Sequence, residues 1–456
     1  MDFQEQQQFQ PNQHTPEQEV FQRRHYVAIT VLFVLLASLL TFLITYIVLT
    51  SFHQKDKEIV KEQVIVQMNQ QLEGYEEFKT VLELYNSLPK ELRNIQMYEK
   101  LAELDLYYRT FYAGKIDEEK LVYMVANGYI VGAGDTFGAF YSADEFKAVI
   151  DDVGGSAVGI GVYVTQDTST SGIRISYVMK DGPANKAGLL PGDVVTHVGG
   201  EAVSDIGYYT AINRIKGEVG TEVEITFIRD GESYTKTLIR EKINVESVIY
   251  TKHETQPDVG IIRVIEFNNA TSAQFIAAVK QAVEVDGVST LVYDLRGNPG
   301  GTLTSVVEML DFLLPSGKIV TVRYAGGEDY VYYSDSEGEE FSSLGKDVKM
   351  AILVNGATAS AAELFTSAMG DYGMATIVGT KTYGKGCGQS VIPLDDGTGL
   401  AFTTFMYDPP VRENYNGVGI TPDVVQEMSE EASKKNIFEL SHDEDDQLKA
   451  ALEALK

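Results

Sequence analysis

Cysteine is nearly absent: the 456 residues hold one, Cys387. A single thiol excludes an internal disulfide and any cysteine-rich metal site. Histidine is sparse too. His14, His25, His53, His197, His253 and His442 are scattered, with no pair at metal-ligand spacing, so no metal or other cofactor is expected. Positive charge is in deficit, 37 basic residues against 66 acidic ones, for a formal net charge of -29. Such a surface repels polyanions and argues against a nucleic-acid partner. A complete phosphate loop is also missing. The stretch GTKTYGKG, 379–386, has Gly386 where a P-loop needs Ser or Thr, and it runs into Cys387–Pro393, which reads as a strand and not as a helix. Lys385 therefore needs another explanation.

What is present is enough apolar residue, 44%, for real cores in two or three domains. Residues 1–25 are Gln-rich and aperiodic, which predicts a disordered cytoplasmic tail. Residues 26–52 contain ITVLFVLLASLLTFLITYIVL and no formal charge, long enough to span a bilayer. They predict a single-pass membrane anchor, with the bulk of the chain outside the cytoplasm. Residues 53–154 read as a helical region. Leu72, Tyr75, Phe78, Leu82 and Tyr85 lay one apolar stripe along a helix, suited to packing within the subunit or to a homodimer. Shorter helices are expected near 117–127 and 143–150.

Short strands follow, at 159–164, 173–178 and 222–228, around DGPANKAGLLPGDVVTHVGGEAV. This stretch resembles a PDZ domain, placed at 155–245. The resemblance implies that Gly159, Ile160, Gly161 and Val162 form the loop that takes a peptide's C-terminal carboxylate on backbone N–H groups. A glycine-rich strand start without a ligand is the plainer reading.

From 246 to 428 the pattern becomes strand, helix, strand, with strands at 291–295 and 350–354 and helices at 306–314 and 361–369. In such an α/β domain chemistry belongs where strands end and helices begin. Ser360 stands at such a place. Taken alone it reads as an N-cap; the same place also suits a nucleophile, with the N–H of Ala361 aimed where an oxyanion would form. A serine needs a base. Neither His253 nor His442 has a catalytic setting, whereas a lysine in an apolar niche can serve when burial lowers its pKa. Lys385, between glycines and ahead of Val391 and Ile392, fits that niche better than Lys381.

Val354–Glu363, Thr382–Gln389, Asp294–Gly301 and Gly419–Asp423 together resemble, in order and spacing, the carboxyl-terminal processing proteases of the S41 type. The resemblance implies a crotonase/ClpP-like α/β protease domain joined to the PDZ domain. It makes Ser360 the nucleophile, Lys385 the general base and Gln389 the residue that orients the lysine amine. The oxyanion hole falls to the N–H of Ala361 and that of Gly300 or Gly301. Substrates would be proteins or peptides with free C-termini; the rival is a catalytically silent PDZ scaffold. Asp371 is set aside as a third member, since a carboxylate touching Lys385 would raise its pKa. Cys387 reads as a packing residue. Two departures stand out: Gly388, where the family has a β-branched residue, and Asp408–Glu413 in place of Pro-Ser-Gly. Residues 429–456 read as an acidic tail.

Overall fold

The computed structural model describes residues 95–456 apart from 168, 336–340, 342–343 and 345–346. The predicted tail 1–25, the anchor 26–52 and the stripe from Leu72 to Tyr85 lie outside the described residues. Among those described, no helix is long and apolar enough to cross a membrane.

Two compact units divide the chain, one reaching Tyr129 and including 393–397, the other holding the rest from Ile130. The first contains α1 (Ile95–Phe111) and most of α2 (Glu118–Gly132). Arg109 ties them, donating to Asp105 one turn back and to Glu118 at the start of α2. Tyr107, Tyr108 and Phe111 on α1 and Val122 and Met124 on α2 are exposed.

The second unit opens with β1 (Ala139–Tyr141), α3 (Ala143–Val153) and β2 (Ser156–Gly159). Ser142 and Glu145 close a capping box on α3, each side chain satisfying the other's backbone N–H. Next come β3 (Val162–Asp167), β4 (Gly172–Val178), α4 (Pro183–Lys186), β5 (Val194–Val198), β6 (Glu201–Ala202), α5 (Val203–Ile206), α6 (Tyr208–Ile215), β7 (Glu222–Arg229) and β8 (Glu232–Ile239). The sheet runs β3-β4-β5-β7-β8, which leaves β3 on an edge. Alternation along β7 turns Val223, Ile225 and Phe227 onto a core with Ile173, Ile175 and Leu189, and Glu222 and Glu224 to solvent. Strand β9 (Glu241–Asn244) returns to pair with β2.

Beyond it lie β10 (Val248–Lys252), β11 (Val259–Val264), α7 (Thr271–Lys280), β12 (Thr290–Asp294), α8 (Leu303–Leu313), β13 (Gly317–Tyr324), β14 (Tyr330–Ser334), β15 (Lys349–Val354), α9 (Ala361–Asp371), β16 (Thr376–Gly379), β17 (Cys387–Pro393), β18 (Gly399–Asp408) and β19 (Val424–Val425). The main sheet has the order β10-β11-β12-β15-β16-β19 and is parallel from β11 onward. One face buries Ile262, Leu291, Tyr293 and Ile352 under α7, α8 and α9, in a core shared with β13 and β18 of an antiparallel second sheet. The alternate residues Ile261, Val292 and Leu353 point to the other face.

That second face corrects the expectation for 429–456. The segment is acidic, but it is no tail: α10 (Glu430–Ser433) leads to α11 (Asp446–Ala454), which lays Leu448 and Ala451 on Ile261, Val292 and Leu353. Strands of a parallel sheet are apolar on both faces, so the outer face needs a cover. The apolar residues of α11 supply it.

Candidate active site

Parallel β15 ends at Val354, and six residues later the chain turns sharply into α9 at Ser360. Ser360 has φ 57° and ψ -120°, a left-handed backbone that a side-chain-bearing residue adopts only under constraint. The constraint is visible. Its N–H donates to Glu363 Oε2 at 2.9 Å, half of a capping box, while its hydroxyl hydrogen-bonds Tyr407 Oη at 3.2 Å. Ala361 opens α9, so its N–H has no acceptor within the helix.

The neighbouring parallel strand β12 ends in the turn Asp294–Gly301, which the sheet brings beside Ser360. Leu295 N–H donates to Leu353 O at 2.9 Å, Thr358 Oγ1 to Leu295 O at 2.8 Å, and Ala359 N–H to Asn298 O at 2.9 Å. Gly300 packs so closely that a Cβ there would lie 2.7 Å from Ser360 Cβ and 2.9 Å from Ala361 N, at φ +100°. Its own N–H is taken by Asn298 Oδ1 at 2.8 Å. Of the two glycines expected for an oxyanion hole, Gly301 is thus the one whose N–H is left without an acceptor among the described residues. We expect Gly300→Ala to lower unfolding free energy by about 1–3 kcal/mol, read as the midpoint of a urea melt; an unshifted midpoint would show that the turn can give way.

Lys385 lies on the loop between β16 and β17. Glu363, wholly buried, gathers this loop as well: its carboxylate accepts from Thr382 Oγ1 at 2.5 Å, Gly384 N at 2.7 Å and Lys385 N at 2.8 Å, besides Ser360 N. Tyr383 N donates to Thr358 O at 3.0 Å. One carboxylate therefore sets the serine backbone and the lysine backbone against each other. The amine itself sits 4.7 Å from the Phe137 ring centroid. Burial pushes its pKa below the ordinary 10.5, and the nearby Cys387 and Asp135 work against that push.

Two expected contacts are not made. Lys385 Nζ forms no hydrogen bond with Ser360 Oγ, whose partner is Tyr407; the amine lies over the Phe137 ring instead. Gln389 makes no hydrogen bond to the amine either. Its Nε2 reaches Thr403 Oγ1 at 3.3 Å and Cys387 Sγ at 3.8 Å, since Thr403 faces it from β18 and is itself anchored by Asp135. Cys387 is buried, and burial raises its thiol pKa. Asp371 is occupied with Arg412 Nε at 2.5 Å and the N–H groups of 411 and 412, holding the divergent Asp408–Glu413 stretch. At Gly388 a Cβ would lie 2.2 Å from the Phe405 ring, so the missing side chain makes room for that aromatic.

In the domain before it, Ile160 O and Gly161 O accept from Ala184 N and Met179 N, at 2.8 and 3.0 Å. The N–H groups of Ile160 and Gly161 take no acceptor among the described residues, and the adjoining β3 edge is unpaired. Tyr208 Oη reaches that strand at Val164 O, 3.4 Å away.

Family comparisons agree with this layout. A model of "Peptidase family S41" matches residues 258–426, and one of the PDZ domain matches 157–238. The carboxy-terminal-processing protease of Bartonella bacilliformis is 32% identical over 339 residues, covering 73% of this chain and 76% of that protein. The chain belongs to peptidase family S41. A probable CtpA-like serine protease of Staphylococcus saprophyticus is 33% identical over 333 residues, 72% of this S41 chain and 66% of the relative. The chain thus spans just under two thirds of that relative's length. A putative S41 protease from Bacteroides fragilis shares the fold at 16% identity and TM-score 0.50, over 76% of this chain and 94% of that one.

Sequence reasoning on this S41 chain missed Glu363 and Tyr407. The first carried a signal, the Ser-x-x-Glu spacing of a capping box at 360–363. Nothing local announces the second, 47 residues from the serine it touches. His253 and His442 also meet, with ring centroids 4.7 Å apart, although the described residues contain no group of ligands able to hold a metal.

Proposed function

We propose that the chain is a membrane-anchored serine endopeptidase that cleaves proteins near their C-termini. Its α/β domain is read as crotonase/ClpP-like, with the 26–52 stretch as a single-pass anchor and the catalytic part outside the cytoplasm. The observation that carries the reading is Glu363, which ties the strained Ser360 and the half-buried Lys385 to one carboxylate.

Ser360 Oγ is the nucleophile. Lys385, whose neutral form burial favours, leaves the Phe137 ring, takes the hydroxyl proton and later returns it to the departing amine. Ala361 and Gly301 offer N–H groups to the oxyanion. The carbonyl of Gln389, which takes no donor among the described residues, receives the amine once it has swung across. A free C-terminus docks on the N–H groups of Ile160 and Gly161 and extends along β3. The apolar face on α1 and α2 suits a second copy of the chain. A silent scaffold is the weaker reading, because it gives the strained serine and the depressed lysine no work.

The test is cleavage of an unfolded protein ending in a free apolar residue, run beside Ser360→Ala. A pH signature accompanies it. The base acts when neutral, so kcat/KM is expected to rise with pH along a limb centred below 10.5. Phe137→Ala admits water to the ammonium, favours its charged form and should move that limb to higher pH. An unmoved limb would exclude Phe137 from the setting of the base.

A further inference from the structure

Ser360 Oγ has a partner that the dyad does not use. Tyr407 Oη lies 3.2 Å away, and both residues are buried. The phenol is not a free rotor. Tyr407 N donates to Gly386 O at 3.1 Å, its carbonyl accepts from Asn414 Nδ2, and that same amide donates to Gly386 O at 3.0 Å. The residue following Lys385 is thus clamped to the backbone of Tyr407, and the ring is packed edge-on against Phe405 at 5.5 Å. One strand therefore sets the phenol against the serine and the lysine loop against the phenol.

We propose that Tyr407 is a further catalytic residue, whose phenol O–H donates to Ser360 Oγ and remains there while the hydroxyl becomes the nucleophile. This rests on the serine reading above. The pair has two hydroxyl protons. If the phenol donates to Oγ, the serine proton is left for Lys385; the reverse orientation turns that proton away from the base. Burial keeps the phenol protonated, its pKa pushed up to about 12, so it has a proton to donate. Glu363 does not compete for the phenol proton, because its carboxylate already receives four donors.

In the reacting step Lys385 Nζ takes the serine proton, the Oγ–C bond forms, and the carbonyl π pair moves onto the substrate oxygen. Tyr407 keeps its own proton throughout. Its hydrogen bond strengthens as negative charge gathers on Oγ, which is where a donor lowers a barrier. On collapse the C–N bond breaks, the lysine proton passes to the amine, and an acyl ester is left on Ser360.

The full chain is compared as wild type, Tyr407→Phe and Ser360→Ala, by peptide kcat and KM, by the rate constant of labelling with a fluorophosphonate, and by thermal melting. Tyr407→Phe is expected to keep its melting transition and its KM within about twofold, and to lose roughly ten- to a hundredfold in both kcat and labelling rate. Equal rates would overturn the proposal, and so would faster ones, which would make the phenol a restraint on the serine. A wild type that is not labelled at all sinks the serine reading itself, and this inference with it. Should Tyr407→Phe fail to fold, 3,5-difluorotyrosine at 407 replaces it. Its more acidic phenol loses the donated proton within the assay range, so labelling should fall at alkaline pH where wild type does not; a matching profile overturns the proposal.

Discussion

Ser360→Ala is expected to abolish measurable cleavage, a loss on the order of 10⁴-fold or more in kcat, with the melting temperature shifted by only a few degrees. The small thermal effect follows from what the substitution leaves alone. Alanine at φ 57° carries the same backbone strain as serine, and the N–H bond to Glu363 is untouched. The loss is one hydrogen bond to Tyr407, about 1 kcal/mol. Lys385→Met should match Ser360→Ala in activity, and the double variant should be no worse than either, because nucleophile and base act as one unit. Its stability should move the other way. Burial lowers the folded-state pKa of Lys385, so the unfolded chain binds more protons there. That penalty is present in full below the folded pKa and is relieved as pH rises from there to the unfolded value near 10.5, so Lys385→Met is expected to melt higher than wild type at pH 7. Losses that multiply in the double variant would show that the two side chains do not share a step.

Much of this layout could be read from the chain because its signals are local. An apolar run ending at Val354, small residues to Ser360 and helix formers after it are a strand, a turn and a helix in any context, and Gly384-Lys385-Gly386 is legible as a loop. The contacts that decide chemistry are not local. Glu363 meets Gly384 across 21 positions, Thr403 meets Asp135 across 268, and the site that holds the Lys385 amine is a ring from far earlier in the chain. Periodicity carries no information about such pairings: the first needs the parallel order β15-β16 to set two loops side by side, and the other two need β1 to pair with β18. Composition misled at the C-terminus for a related reason. Acidic residues there read as solvated, yet Leu448 and Ala451 suffice to seal the sheet, and Asp445 is buried because an arginine waits for it.

That arginine is the place of largest expected stability loss. Arg296 donates to Asp294 Oδ1 and Oδ2, both at 2.8 Å, and to Asp445 Oδ1 and Oδ2 at 2.9 and 2.6 Å, with all three residues buried. Asp294 starts the turn that ends at Gly301, and Asp445 caps α11 through the N–H of Leu448 at 3.0 Å. The guanidinium thus joins the base of the proposed oxyanion turn to the helix that covers the sheet. Arg296→Met would leave two buried carboxylates with one charged partner, Arg263, on Asp294 alone, a change of about 3–5 kcal/mol. Acid sensitivity should change with it. Burial pushes the Asp294 carboxyl up, but Arg296 and Arg263 more than offset this and hold it well below the usual range. A depressed carboxylate contributes stability that is complete above its unfolded pKa, near 3.9, and drains away as pH falls through the folded value. Wild type should therefore melt lower from about pH 5 downward. In Arg296→Met that contribution should be largely gone at pH 7, and the melting temperature should change less between pH 7 and pH 4 than in wild type. A variant as steep in acid as wild type would mean that the acid sensitivity resides in other carboxylates.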